Sequence, residues 1–306
     1  MAESDAHELE ERFRTAQERF IRQDAFPCGY WIARHPVSVA QFGRFVADKG
    51  YQTRAWWVEA ERAGVWKDGR ITGWTWNEEI GQVREEIRSR PGDSGLHFGT
   101  PNHPVVGITW YEAMAYCRWI DHHFSSKGTF RLRLPSEAEW ELAARGGERI
   151  PNSNQIGVLS GGLKVGQTQR FVKNPQPKRS FPWGDQPKTD HANTHELEFQ
   201  GTSAAGCFGC GRSPYGVEDL SGNVWEWTRS LWGRAVRKPE FGYPYRAEDG
   251  REDELASKEV ARVLRGGSWG FPADGARCAY RAGREPVYRS RYVGFRLVAS
   301  PFDSGR

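Results

Sequence analysis

Long apolar runs are missing from this chain of 306 residues. Its hydrophobic content is 38% and its mean hydropathy is −0.73, so no stretch is expected to cross a bilayer and no membrane partner is expected. The opening residues Met1-Ala2-Glu3-Ser4-Asp5 lack the basic and apolar regions of a secretory leader, which points to a cytoplasmic protein. Blocks of Lys or Arg are missing too. The 43 basic residues are nearly balanced by 39 acidic ones, leaving a net charge of +4, and nucleic acid is not an expected partner. Cysteine is scarce: five residues at uneven spacing argue against a disulfide framework and for a reducing compartment. Methionine, with two residues, is nearly absent as a filler of irregular gaps.

Aromatic residues take that place. Fourteen Trp, ten Tyr and sixteen Phe, with 35 Gly and 17 Pro, describe a loop-rich fold wedged together by large rings. The length permits one large domain or two, and no internal repeat or linker divides the chain. Leu9, Phe13, Ala16 and Phe20 recur at helical spacing, so residues 5–21 are expected to form an amphipathic helix packed on the domain. Residues 29–33 read as a strand. Ser38 caps a helix through Phe42 and Phe45 that Gly50 ends. Residues 54–100 look like an excursion with a helical piece around Asn77 to Arg88. Val105 to Ile108 reads as a short strand. Thr109 with Glu112, and Ser136 with Glu139, are capping boxes opening two further helices, the second stopped by Gly146 and Gly147. Between these two helices Arg131 to Leu134 alternates as a strand, and residues 148–180 read as an inserted loop.

The most unusual stretch is Arg265 to Leu297. It has a frame, Arg265-Gly266-Gly267-Ser268-Trp269 at one end and Gly294-Phe295-Arg296-Leu297 at the other, with Arg277, Ala279, Arg281, Pro286 and Arg289 between. The filling follows neither a period of two nor one of 3.6 and reads as loop. Tyrosines, a phenylalanine and arginines among Gly and Ser have the composition of a recognition surface. Read by themselves, they are equally the residues of ordinary connections near a chain end.

Several blocks occur in a fixed order: Arg34-His35-Pro36-Val37-Ser38; His103-Pro104-Val105-Val106; Arg133-Leu134-Pro135-Ser136-Glu137-Ala138-Glu139-Trp140; Phe181-Pro182-Trp183-Gly184-Asp185; Gly222-Asn223-Val224-Trp225-Glu226-Trp227; and the Arg265 to Leu297 frame. From about Phe26 to Val298 the chain resembles the formylglycine-generating enzyme, or sulfatase-modifying factor, family. The resemblance implies an α+β, C-type lectin-like fold with little regular secondary structure. The expected organisation is an N-terminal helix in 1–25 and one domain over 26–300, with a variable-type segment at 265–297.

Such a scaffold hosts more than one function. The enzymes of the family use two cysteines shortly after the Gly-Gly-Ser motif to hold copper and activate oxygen. Gly270 to Arg277 contains none, so no copper and no catalysis are expected; a formylglycine-generating oxidase remains the alternative. The related sulfoxide synthases use an iron site and a histidine-rich N-terminal bundle, and residues 1–25 contain only His7. Within the family, the filling resembles the segment of diversity-generating retroelement variable proteins, which is rewritten at template adenines. Adenine changes in an AAC codon reach Gly, Phe, Pro, Tyr, Ala, Arg and Ser. Gly270, Phe271, Pro272, Gly275, Tyr280, Ala282, Gly283, Arg284, Tyr288, Ser290, Arg291 and Tyr292 all obey that rule, and Glu285 does not. These twelve are the expected ligand-binding positions, for an unknown protein or small-molecule ligand. Trp269 and Phe295 are expected in the core, and Arg277, Arg281 and Arg289 are expected to tie the loops. An interaction domain with one fixed partner is a third reading.

The resemblance also implies a calcium site. Asp219 and Glu226 would contribute side chains, and Gly222 and Val224 carbonyls, a hard oxygen set suited to Ca2+. The other reading of that segment is a core strand. Cys207 and Cys210 form a lone C-x-x-C without a second pair for zinc. His191 and His195 read as loop histidines, and Cys117 as core packing.

Overall fold

Pairing of the two ends of the chain sets the architecture. In the computed structural model the strand Tyr30–Ala33 lies antiparallel to Val298–Pro301, with Val298 opposite Ile32 and Ala299 opposite Trp31. The structure describes residues 19–23, 29–77, 81–92, 98–125, 130–153, 156–159, 163–164 and 170–301. Those two strands sit inside a six-stranded sheet ordered Phe130–Arg133, Val298–Pro301, Tyr30–Ala33, Arg19–Gln23, Ile156–Leu159, Leu163–Lys164. A second, four-stranded sheet is ordered Ala282–Arg284, Ala261–Arg265, Trp225–Gly233, Val293–Phe295. Its last two strands run parallel, and this sheet carries the frame of the C-terminal segment.

The described helices are α1 (Val39–Ala47), α2 (Val58–Arg62), α3 (Trp110–Phe124) and α4 (Glu137–Arg145). Three start where side chains satisfy the free amides of the first turn. Ser38 and Gln41 cap α1, Thr109 and Glu112 cap α3, and Ser136 and Glu139 cap α4, each pair bonding reciprocally. Gly146 at φ 77° ends α4, as its position after the periodic residues predicts. Phe42, Phe45, Tyr51, Trp57, Tyr116, Trp119 and Phe295 form one aromatic cluster, with ring centroids 5.2 to 6.3 Å apart. Each fully buried ring of this kind contributes on the order of 2–3 kcal/mol relative to exposure. Trp269 and Phe295 are buried, as expected of the frame.

Several local expectations change. The helix expected over 5–21 does not extend through Arg19, Phe20 and Ile21, which lie in a strand paired to Tyr30–Ala33; residues 1–18 lie outside the described residues. The piece around Asn77 to Arg88 is not helical. Arg70–Asn77 and Gln82–Arg88 form an antiparallel pair. Thr72, Trp74, Thr75, Trp76, Val83 and Ile87 are β-branched or aromatic, and their fit to a pleated surface outweighs the helix-compatible charges between them. Val105 to Ile108 runs outside any described strand; only the flanking Pro104 makes a bridge, to Ser38. Residues 148–180 include short strands at Arg149–Pro151, Ile156–Leu159, Leu163–Lys164 and Phe171–Lys173.

Candidate ligand-binding cleft

Buried ion pairs hold the C-terminal segment. The Arg296 guanidinium is fully buried and bonds both Glu226 oxygens at 2.6 Å. It also donates to the carbonyls of Ala33, Glu218 and Asp219. Arg281 meets Glu137 through two bonds of 2.6 and 2.8 Å, and Arg251 reaches the same carboxylate at 3.2 Å. Arg289 donates to Glu112 at 3.2 Å and to the carbonyls of Ile71 and Glu86, joining the segment to α3 and to the hairpin. Arg265 pairs with Glu141 and donates to the Tyr280 carbonyl at 2.7 Å. Planar guanidinium forks suit such multi-point bonding. Arg281 and Arg289 therefore tie loops as expected. Arg277 does not: it is exposed, 3.9 Å from the exposed Asp274. Gly267, at φ 71°, lies where an added Cβ would sit 2.8 Å from the Ala276 backbone, so this turn requires glycine.

Between these ties lies a cleft of about 430 Å³. Trp225 and Leu264 from the four-stranded sheet are buried beneath it. Phe271 stands edge-on to Trp225 at 5.8 Å and to Tyr292 at 5.6 Å. Tyr280 lies 5.8 Å from Trp225 on another side. Phe271 and Tyr280 are 39% and 41% exposed, while Tyr288 and Tyr292 are half-buried. Tyr288 rests on Trp74 of the hairpin, centroids 4.7 Å apart.

Of the twelve positions expected to bind ligand, Phe271, Pro272, Gly275, Tyr280, Ala282, Arg284, Tyr288 and Tyr292 line this cleft. The other four lie outside its lining. Ala282–Arg284 is a strand paired to Ala261–Arg265, so alternate residues face opposite sides. Ala282 and Arg284 reach the cleft; Gly283 faces away, where an added Cβ would meet the Trp232 ring at 2.4 Å. Ser290 is buried, its carbonyl accepting from the Gly107 amide and its hydroxyl from the Tyr292 amide. An added Cβ at Gly270 would meet the Tyr292 ring at 2.3 Å. Arg291 is exposed, with its guanidinium over the Trp269 and Tyr292 rings. Sequence reasoning missed Trp225, Leu264, Asp274 and Val293 in the lining. The block Gly222 to Trp227 is visible in the sequence, but the pairing of Trp225–Gly233 with Val293–Phe295, which puts Trp225 beneath the segment, is not.

Of the four residues expected to hold calcium, Asp219 and Glu226 have carboxylate oxygens already bonded within the protein. Glu226 is fully buried, with both oxygens bonded by Arg296 and one also by the Trp140 indole at 2.7 Å. The Asp219 carboxylate accepts from the Gly206 amide at 2.7 Å, and its carbonyl accepts from Arg296. Gly222 packs on Asn193, where an added Cβ would lie 2.3 Å from the carbonyl oxygen. The guanidinium already supplies the positive charge that Glu226 requires, so that carboxylate needs no cation to be satisfied. Val224 is core, beside Phe98 and Trp269.

Cys278 is the one cysteine between Arg265 and Leu297. It is fully buried, and burial pushes its thiol up to about 12. At neutral pH it is a protonated, inert sulfur rather than a thiolate. Cys207 and Cys210 are exposed free thiols, Cys117 is core, and His191 bonds Asp190 at 2.7 Å.

Mixed short sheets, few helices and long connections closed by the pairing of Tyr30–Ala33 with Val298–Pro301 make this a C-type lectin-like fold. The family model for the sulfatase-modifying factor enzyme 1-like domain matches residues 9–301, and the chain belongs to that family. The inactive C-alpha-formylglycine-generating enzyme 2 of Bos taurus is 32% identical, over 86% of this chain and 75% of that protein. Hercynine oxygenase of Mycolicibacterium thermoresistibile is 28% identical over 87% of this chain and 50% of that protein. The serine/threonine-protein kinase pkn1 of Chlamydia caviae is 28% identical over 90% of this chain, which spans only 34% of that protein. Among solved structures, Treponema denticola variable protein 1 superposes with a TM-score of 0.52 at 16% identity, covering 92% of this chain and 91% of that one. No described helix is long and apolar enough to cross a membrane.

Proposed function

We propose that the chain is a non-catalytic ligand-binding protein of the diversity-generating retroelement variable type. One observation carries this reading. Eight of the twelve filling positions that the resemblance and the codon rule single out, among them Phe271, Tyr280, Arg284 and Tyr288, line a single cleft. Arg265, Arg281, Arg289 and Arg296 are tied in ion pairs that fix the backbone. That division of labour lets side chains in the cleft change without unfolding the frame. The likeness of fold to a Treponema denticola variable protein, and of sequence to a bovine protein named as inactive, agrees with it.

The oxidase reading draws on likeness to named enzymes, but a lone thiol held protonated by burial is a poor Cu(I) ligand. The coding DNA tests the proposal. A near-copy of codons 265–297 elsewhere in the same locus, differing only where the copy has adenine, is the expected finding. Its absence, or differences at other bases, would leave a domain with one fixed partner. Tight one-to-one copper binding with oxygen-dependent thiol oxidation would restore the oxidase.

A further inference from the structure

Apart from Arg291, which is exposed and donates to the Tyr292 hydroxyl at 3.1 Å, the arginines of the C-terminal segment divide into two kinds. Arg265, Arg277, Arg281, Arg289 and Arg296 each lie within ion-pair distance of a carboxylate, namely Glu141, Asp274, Glu137, Glu112 and Glu226. Arg284 has none within 4.0 Å among the described residues. Its Nη1 donates to the Gly283 carbonyl at 2.9 Å, and the guanidinium lies over the Tyr288 ring at 5.6 Å. Those two contacts orient the fork and leave its Nε and Nη2 edge unbonded by any described residue. Asp274 is the other charged residue of the lining, and it is 87% exposed beside Arg277. The uncompensated charge of the cleft is therefore that of Arg284, half-buried where water screens it less than at the open surface.

We propose that the cleft takes a small ligand joining one aromatic or apolar ring system to one carboxylate, the ring against Trp225, Phe271 and Tyr280 and the carboxylate on Arg284. The inference rests on the ligand-binding reading above and adds the chemical class. A volume of about 430 Å³ is that of a small-molecule site. Three ring systems meeting at 48° and 82° offer both faces and edges to an inserted ring. A planar carboxylate matches two parallel N–H bonds from the free edge of the guanidinium. The same group occurs on a free aromatic acid and on the C-terminal aromatic residue of a peptide.

The test is calorimetric titration of the full chain with 2-naphthoate, 2-naphthamide and acetate. Naphthoate is expected to bind about tenfold more tightly than the amide, as one charge-assisted contact allows, and acetate not at all. Arg284→Gln should abolish the preference for the carboxylate while leaving the thermal midpoint unchanged. Tyr280→Ser should weaken both naphthyl probes alike. A short peptide ending in Trp, free or amidated, separates the sources: binding tighter than naphthoate and dependent on the free terminus marks a chain end, and weaker binding marks a free acid. Equal binding of naphthoate and naphthamide, or a preference that survives Arg284→Gln, overturns the assignment of the carboxylate. Binding of neither naphthyl probe overturns the ligand class. In both cases the variable-protein reading stands or falls separately on the coding DNA.

Discussion

At the scale of single residues, Arg296 and Tyr280 are opposites. Arg296 is a charge fully buried against Glu226, so Arg296→Ala leaves an uncompensated carboxylate. It should destabilise the protein by about 3–5 kcal/mol in denaturant unfolding. Tyr280→Ser removes a ring already 41% exposed and should cost under about 1 kcal/mol. Because Arg296 already neutralises Glu226, neither added Ca2+ nor a chelator should move the thermal midpoint; a rise of several degrees with Ca2+ would show that this turn holds a cation despite the pairing. Glu139 sets part of the acid limit. Burial alone would raise its carboxyl, but Arg133, at 2.7 Å, and the Ser136 amide outweigh burial and hold it at about 2. A lowered carboxylate contributes stability that is fully present above the ordinary value of 4.5 and is lost as pH falls from there towards 2. Glu139→Gln should flatten that stretch of the stability profile. The sequence displayed the arginines but not their partners, which come from α3, α4 and Glu226. That is why Arg277 could not be told from Arg281 before the fold was known.

At the scale of elements, what is local was legible and what is long-range was not. Three capping boxes announced three helices because the bonds join residues three apart. Thr109→Ala, which removes one such cap, should cost about 1 kcal/mol. The hairpin of Arg70–Asn77 and Gln82–Arg88 was hidden because its register depends on the partner strand and on the C-terminal segment. Trp74 donates its amide to the Val287 carbonyl, and its own carbonyl accepts from the Arg289 amide. Replacing Trp74 with Ala should raise amide exchange at Arg289 and loosen Tyr288, while helix α3 keeps its protection. Faster exchange throughout α3 would mean that the hairpin supports the core rather than the wall of the cleft. Strand alternation also explains the cleft itself, for it brings Ala282 and Arg284 to one face and turns Gly283 to the other.

At the scale of the whole molecule, the terminal strands share a sheet, and the frame arginines reach back to residues 33, 112, 137 and 226. The scaffold is therefore expected to unfold as a unit, with the exposed rings over the cleft, Phe271 and Tyr280, joined to it only loosely. The family and fold were readable because many spaced blocks recur in order. The position of the cleft was readable only as a composition, since its floor, Trp225 and Leu264, comes from elsewhere in the chain. The most direct test of the division between frame and display is the stability of Phe271→Ser, Tyr280→Ser and Arg284→Ser combined in one protein, set beside Arg296→Ala. The combined variant should unfold in one cooperative transition within about 2 kcal/mol of the parent, and Arg296→Ala should lose more. If the combined variant loses as much as Arg296→Ala, or unfolds without cooperativity, the cleft residues are part of the core and the division is wrong.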